Sequence, residues 1–227
     1  MLANAVILAA DRNLTDDVVI SRVLLGKKEE YEILVRRYNN LLYKTARGIL
    51  SEENDIEDVM QEAYIRGYEK LGQFRKEAKF STWLTRILIN CALQHVNKLK
   101  GKAHLGLDAI HGEDMDSLQE IPDTTNPEVG ENLSKAMEAA ITHLPAKYRL
   151  IFILREIEHF PIADAALMAG ISEENVKIRL HRAKGMLRDM LRSEFNALDI
   201  FVFHASRCTC VATYVMNHIN SIPGHLT

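Results

Sequence analysis

Apolar residues recur at three- and four-residue spacing along nearly the whole chain, and no strand-like alternation is sustained anywhere. A chain patterned this way can bury its apolar faces only by packing helix on helix, so the spacing predicts an all-α protein. Thr15 followed by Asp16 and Asp17 reads as an N-cap with acids in the first turn, opening a helix that ends near Gly26. "KEEYEILVRRY" and "NLLYKTARGIL" predict two more helices. Ser51 or Asn54 is placed to cap a long helix running to Leu71, with Gly72 as its stop. "FSTWLTRILINCALQHVNKLK", from Phe80 to Lys100, is the next helix and completes a compact first bundle.

After Lys102 the period fails. "HLGLDAIHGEDMDSLQEIPDTTNPEVG" carries turn residues and acids without a helical stripe, which predicts a flexible connector. Helical spacing resumes near Glu128 and runs to Leu144. Pro145 and Pro161 each suit the first position of a new helix, Gly170 closes the second of these, and Ser172 caps a helix from Glu173 to about Leu191. The expected fold class is therefore all-α, with two small helical domains joined by an acidic flexible linker. The expected boundaries are residues 1–102, a linker over 103–127, a second domain over 128–195, and a tail over 196–227.

Cysteine usage and the start of the chain bound the setting. Cys91, Cys208 and Cys210 are an odd set that gives no disulfide framework, which predicts a reducing, cytoplasmic environment. "MLANAVILAADRN" has a short apolar run without a basic n-region, far below the roughly 20 residues of a membrane span. It reads as a tail or an added turn on the first domain, and no membrane insertion is expected.

The formal net charge is only −3, yet the charges are segregated. "SEENDIEDVMQE", Ser51 to Glu62, has six acids and no Lys or Arg. Arg66 to Lys102 is strongly basic, broken only by Glu69 and Glu77. Ala103 to Leu133 is purely acidic, and Glu173 to Arg192 is basic again. Such blocks predict two separate polyanion contacts with acidic stretches between them.

"FPIADAALMAGISEENVKIRLHRAKGMLRDML" has helix-turn-helix grammar: a short apolar helix, Gly at the turn, a buried Ile171, then a long basic helix. On that last helix Val176, Leu180, Ala183, Leu187 and Met190 or Leu191 share one face. Lys177, Arg179, Arg182 and Lys184 lie off it, where they can reach phosphates and base edges. A solvated amphipathic helix is the plainer alternative.

The Phe80–Lys100 helix poses a sharper question, because it holds the chain's one tryptophan. Leu84, Ile87, Leu88, Cys91 and Leu99 share one face; Trp83, Arg86, Asn90, Gln94 and Asn97 share another. An aromatic platform, amide edges and cations suit bases that have left their stack, at about 1–3 kcal/mol per stacked base. The competing reading has Trp83 covering the edge of the bundle core. Two other functions remain open at this point. A stand-alone helix-turn-helix regulator leaves Trp83 and its polar neighbours unexplained. An enzyme such as a nuclease finds no Gly-rich phosphate loop or carboxylate–His constellation to support it.

These residues, taken in order from Asp16 to Leu191, resemble a family: the extracytoplasmic-function (ECF) type of bacterial RNA polymerase sigma factor, in the sigma-70 family. "LLGKKEEYEILVRRY" resembles its opening helices, "DIEDVMQEAYIRGYEKLGQF" its polymerase-binding helix, "FSTWLTRILINCALQHVNKLK" its −10-element helix, and the segment from Leu144 to Leu191 its −35-binding domain. The resemblance implies a sigma region 2 domain over 1–102 and a region 4 domain over 128–195. It implies partners: core RNA polymerase through its β′ and β subunits, promoter DNA both duplex and single-stranded, and an anti-sigma factor. It implies no catalytic residues, no cofactor and no metal.

Residue by residue, the resemblance puts Asp55, Asp58, Val59, Gln61 and Glu62 where the family meets polymerase. The acids and the apolar Ile56, Val59, Met60 and Ala63 beside them suit a basic partner helix. Phe74 and Lys79, in the loop from Gly72 to Lys79, fall where the family captures a flipped-out base. Trp83, Arg86, Asn90, Gln94, His95 and Lys98 fall on or near its −10 surface; His95 stands where the family commonly has Asp. Ser172, Glu173, Asn175, Lys177, Arg179 and Arg182 fall where it meets the −35 element. The acidic connector matches one that threads toward the polymerase cleft. "PIADAALMAG" departs from the usual acidic "EIA" pattern of the supporting helix.

The tail lies beyond that resemblance. His204, Cys208 and Cys210 invite a metal reading, but His-x3-Cys-x-Cys is not a standard zinc spacing and a fourth ligand is not evident. Phe201, Phe203, Val211, Val215 and Ile219 predict a packed apolar surface; metal or redox sensing and partner binding stay open beside it.

Overall fold

The computed structural model describes residues 14–99, 137–191 and 205–221. Among them every regular element is helical. The connector over 103–127, the first residues, Phe201, Phe203 and His204 fall outside the described residues.

α1 spans Asp16–Leu24, with Thr15 as N-cap and Asp16 and Asp17 in its first turn. Its chain reverses at Gly26, whose φ of 99° lies in the left-handed region that a residue without Cβ enters freely. A 3-10 turn over Lys28–Glu30 leads into α2, Tyr31–Arg47. α2 is one helix where two were predicted. The Asn39–Asn40 pair looks like a break in sequence, but Asn39 is buried, and Leu34, Val35, Leu42 and Ala46 carry a single apolar stripe through it. Tertiary packing overrides the weak local preference of asparagine.

α3 spans Glu53–Glu69. Its N-cap is Glu52 rather than Ser51 or Asn54, and it stops short of Leu71, where a 3-10 turn over Leu71–Gln73 begins. Two buried tyrosines tie α2 to α3: Tyr31 donates to the Tyr64 carbonyl (2.9 Å), and Tyr64 donates to the Val35 carbonyl (3.0 Å). Burial raises the Tyr31 pKa, so its hydroxyl remains a donor. α4 spans Phe80–Leu99 and packs on both α2 and α3.

The second unit begins with helical residues 137–143. α5, Ala146–Phe152, runs into a π-helical turn over Ile153–Ile157. α6 spans Ile162–Ala169 and α7 spans Glu173–Leu191. Pro145 and Pro161 are N-caps, one position outside the helix from where the sequence predicts them. Gly170 closes α6 at φ 67°, and Ser172 Oγ accepts the Asn175 N–H at 3.2 Å, opening α7 as expected. Ile141, Leu144, Phe152, Ile153, Ala183 and Leu187 form this unit's own core.

The two units share a second core. Leu150, Ile151, Leu154, Ala165 and Met168 join Leu34, Leu42, Leu84 and Leu88 in one buried cluster, and α6 lies against α4. α8, Ala205–Ser221, packs on α2 and α3. Val211, Val215 and Ile219 of the tail are buried there, as the apolar-surface reading predicts. Among the described residues no helix is long and apolar enough to cross a membrane.

Candidate nucleic-acid interface

The first face is built around the start of α4. Phe80 is buried and supplies a floor. Its ring centroid is 5.6 Å from Tyr38, 5.5 Å from Phe74 and 5.5 Å from Trp83, and Phe74 and Trp83 are 5.3 Å apart. These tilted and edge-on contacts hold Trp83 half-buried with part of its ring at the surface. Trp83 thus packs on the bundle edge, as one of the two sequence readings has it, and stays partly exposed. Arg75, Lys76 and Lys79 are exposed on the loop before it, and Arg86 and Asn90 are exposed beyond it on α4.

α1 is held against α2 beside that loop. Asp16 accepts from Arg37 Nη1 (2.5 Å) and from the Tyr38 hydroxyl, and Arg37 Nη2 donates to the Leu14 carbonyl (2.7 Å). Burial, with the Asp16 hydrogen bond and charge, raises the Tyr38 pKa and keeps it a donor. Lys76 takes a left-handed φ of 59° and pairs with Asp17 at 2.9 Å. Both side chains are largely exposed, so that pair contributes little stability. Asp16, Asp17, Tyr38, Phe74, Lys79 and Phe80 are among the residues lining a cavity of about 520 Å³. The contribution of α1 to this cavity leaves no motif in the sequence.

Farther along α4 the predicted residues divide. Lys98 is exposed. Gln94 and His95 are half-buried and engaged with α3. Gln94 Oε1 accepts from Arg66 Nη1 (2.8 Å), Arg66 also pairs with Glu62 (2.6 Å), and His95 Nε2 lies 3.2 Å from Asp55 Oδ1. The residues expected to face −10 and those expected to meet polymerase therefore touch directly at His95–Asp55, and through Arg66 between Gln94 and Glu62. Asn97, read as part of the polar face, is only 6% exposed. Leu99, read as core, is 69% exposed at the last described turn. A helical wheel drawn over twenty residues cannot see where the packed length ends.

On α3, Asp58 is exposed and Asp55, Gln61 and Glu62 are partly so. Val59 is 1% exposed, and Ile56, Met60 and Ala63 are also buried. These four apolar residues hold α3 in the chain's own core instead of forming the partner surface read from the sequence. What α3 offers outward is acidic and polar.

The second face is α7. Ser172, Glu173, Asn175, Lys177 and Arg182 are exposed, while Val176, Ala183 and Leu187 are buried. Arg179 was expected on the outer face but is only 8% exposed. On a helix it sits about 40° from the direction of buried Ala183, at the margin of the packed stripe. Arg182 Nη1 donates to the Tyr148 hydroxyl (3.3 Å), and Lys184 pairs with Glu156 (2.9 Å). Burial of Tyr148 is outweighed by the Arg182 hydrogen bond and the Lys147 charge, and its pKa is lowered. His181 and Arg188 are exposed on the same side as Lys177. The three-and-four spacing from Lys177 could have found them.

An all-helical protein with a helix-turn-helix unit and a separate aromatic–cationic face is the kind of molecule that handles both duplex and opened nucleic acid. Comparison with known proteins makes this specific. The Sigma-70 region 2 family matches residues 34–101 and the Sigma-70 region 4 family matches residues 134–187. The ECF RNA polymerase sigma factor SigW of Bacillus subtilis (strain 168) is 30% identical over 177 residues, covering 76% of this chain and 95% of that one. The ECF RNA polymerase sigma-E factor of Escherichia coli (strain K12) is 30% identical over 175 residues, covering 75% and 91%. In fold, the chain is similar to CnrH, solved in complex with the cytosolic domain of CnrY (TM-score 0.55, 20% identity, 79% of this chain and 99% of that one). It is also similar to the sigma factor RpoE of Bartonella quintana, solved with the anti-sigma factor NepR (TM-score 0.53, 21% identity, 72% and 95%). The chain belongs to the ECF sigma factors of the sigma-70 family, and it directs promoter-dependent initiation of transcription.

Proposed function

We propose that this sigma factor divides promoter recognition between its two faces while riding on core RNA polymerase. Phe74, Lys79, Trp83, Arg86, Asn90 and Lys98 engage the opened −10 element, with Gln94 and His95 positioned from behind by Arg66 and Asp55. Ser172, Glu173, Asn175, Lys177 and Arg182 engage −35 duplex, and Arg179 supports α7 from its packed margin. Asp55, Asp58, Gln61 and Glu62 meet a basic helix of the polymerase β′ subunit, and buried Val59 fixes α3 beneath them.

The observation that carries this reading is the Phe74–Phe80–Trp83 cluster beside exposed Lys79, Arg86 and Asn90. A base unstacked from duplex needs a replacement for its lost neighbour, and a partly exposed indole already locked by two other rings supplies one without further ordering cost. Long cations around it hold the strand by its phosphates. The protein contributes binding energy to strand opening and has no catalytic residues of its own. It works in the cytoplasm, with a region 2 domain over 1–102, a connector over 103–127 and a region 4 domain over 128–195. An anti-sigma factor, as in the RpoE–NepR complex, is its expected inhibitor.

The test is transcription from a randomised promoter library by core polymerase with and without the purified protein. Selection of two separated motifs supports the assignment. Selection of one palindromic duplex motif, bound equally well without polymerase, replaces it with a stand-alone regulator.

A further inference from the structure

Between α3 and α4 a guanidinium decides which way an amide faces. Arg66, on α3, donates from Nη1 to Oε1 of Gln94 on α4 (2.8 Å). Its Nη2 pairs with Glu62 Oε1 (2.6 Å), one turn earlier on its own helix. A carboxylate N-terminal to a cation at this spacing is the favourable order, and a planar fork held by one arm has its other arm aimed. The Arg66 and Glu62 side chains are 33% and 39% exposed, so the ion pair itself adds little to stability. Cys91 is buried one turn before Gln94. Burial pushes its thiol up to about 11, so it stays a neutral neighbour of Arg66 and adds no second anion.

The amide's orientation follows from the donor inventory. Arginine carries five N–H donors and no acceptor, so the side of Gln94 that meets it must be the oxygen. The nitrogen then points away from Arg66. Among the described residues Gln94 makes no other hydrogen bond, and its Nε2 is not a buried unpaired atom. Gln94 is half-buried, which leaves that end of the amide open to solvent. It shares a face of α4 with Trp83, Arg86 and Asn90. Gln94 lies about 16 Å along the helix axis from Trp83, or nearly five base steps, so it addresses a different base from the one proposed to stack on Trp83.

We propose that Arg66 is a positioning residue that makes Gln94 a pure donor and so sets the class of base read at one promoter position. On the edge that carries the exocyclic group, G and T present oxygen acceptors, whereas A and C present an amine donor. An outward NH2 pairs with G or T and meets the amine of the others donor to donor. C, which offers only its amine on that edge, is the most disfavoured base. An unconstrained glutamine would rotate its amide and accept either class; Arg66 removes that choice. This inference deepens the two-face assignment above and rests on it. The alternative, that Arg66 only clamps α3 to α4, predicts a change in stability with no change in base preference.

The experiment is transcription of the randomised promoter library by core polymerase with the full chain unaltered or carrying Gln94→Ala, Arg66→Lys, Arg66→Ala or Arg66→Glu. Gln94→Ala marks the position read, as the −10 position whose preference disappears. There the unaltered protein is expected to favour G or T over C by about fivefold. Arg66→Lys keeps a donor against the Gln94 carbonyl and is expected to keep the preference. Arg66→Ala frees the amide and is expected to bring the ratio close to one. Arg66→Glu offers an acceptor, turns the NH2 inward and is expected to invert the preference toward A or C. Circular dichroism checks helix content, and thermal unfolding of each form reports the clamp separately. If Arg66→Glu loses helix content, Arg66→Ala against Arg66→Lys decides. The proposal is overturned if Arg66→Ala keeps the full preference, or if a folded Arg66→Glu lowers transcription for all bases equally. It is also overturned if Gln94→Ala changes no position, since the amide then meets only phosphate or solvent. Selection of no −10 motif by the unaltered protein overturns the two-face assignment instead.

Discussion

On the proposed assignment, the faces of the two units solve opposite problems. The first presents an aromatic surface fixed by three ring contacts, with a loop that meets α1 through the Lys76–Asp17 pair. The second presents long flexible side chains on a rigid rod, anchored by an N-cap and a few contacts from α5 and its π turn. Opened strands have no shape of their own, so their receptor must bring the order. Duplex is already ordered, so its receptor needs only a straight helix and charges free to adjust. Preorganised rings and adjustable cations are the two consequences.

The comparison is most exposed to attack at Trp83. Trp83→Ala should reduce promoter opening by about 5- to 150-fold, the equivalent of roughly 1–3 kcal/mol of stacking. Fluorescence of a base analogue in the −10 element measures this. Binding of isolated −35 duplex should be unchanged, and if it falls equally, Trp83 is only a structural residue. Next comes α7. Replacing Lys177 and Arg182 together with Ala should weaken −35 binding and make the slope of log K against log salt shallower by about 2, as two phosphate contacts are lost. A slope unchanged in a salt titration would remove both from the interface. The smallest effect belongs to Ser172→Ala, which loses the cap on the Asn175 N–H and should cost about 1 kcal/mol in thermal unfolding. It should also weaken −35 binding modestly, because α7 frays at the end proposed to meet DNA.

The same comparison explains what the sequence made legible. Gly170 and Ser172 announced the end of α6 and the start of α7 to the residue, because turn chemistry is local. The α4 polar face was visible too, since Trp83, Arg86 and Asn90 do share a side. Three kinds of information were not local. The continuity of α2 through Asn39 depends on burial by other helices. The inward turn of Val59 and Arg179 depends on how wide the packed stripe is, and a wheel gives its direction but not its width. Arg149 of α5 donates to the Gly48 carbonyl at the end of α2, joining residues a hundred apart that leave no spacing to read. Resemblance carried the site assignments further than periodicity did, yet it was silent on the seam between the units.

α8 has a consequence for how the molecule is made. It is encoded after both units but packs on α2 and α3, so the first unit cannot finish its surface until residue 221 is synthesised. At about 5–20 residues per second, the apolar patch that α8 covers stays bare for roughly 8–30 s after α3 has been made. During that interval the nascent chain has a sticky site, and chaperones or a neighbouring polypeptide have their best opportunity to occupy it.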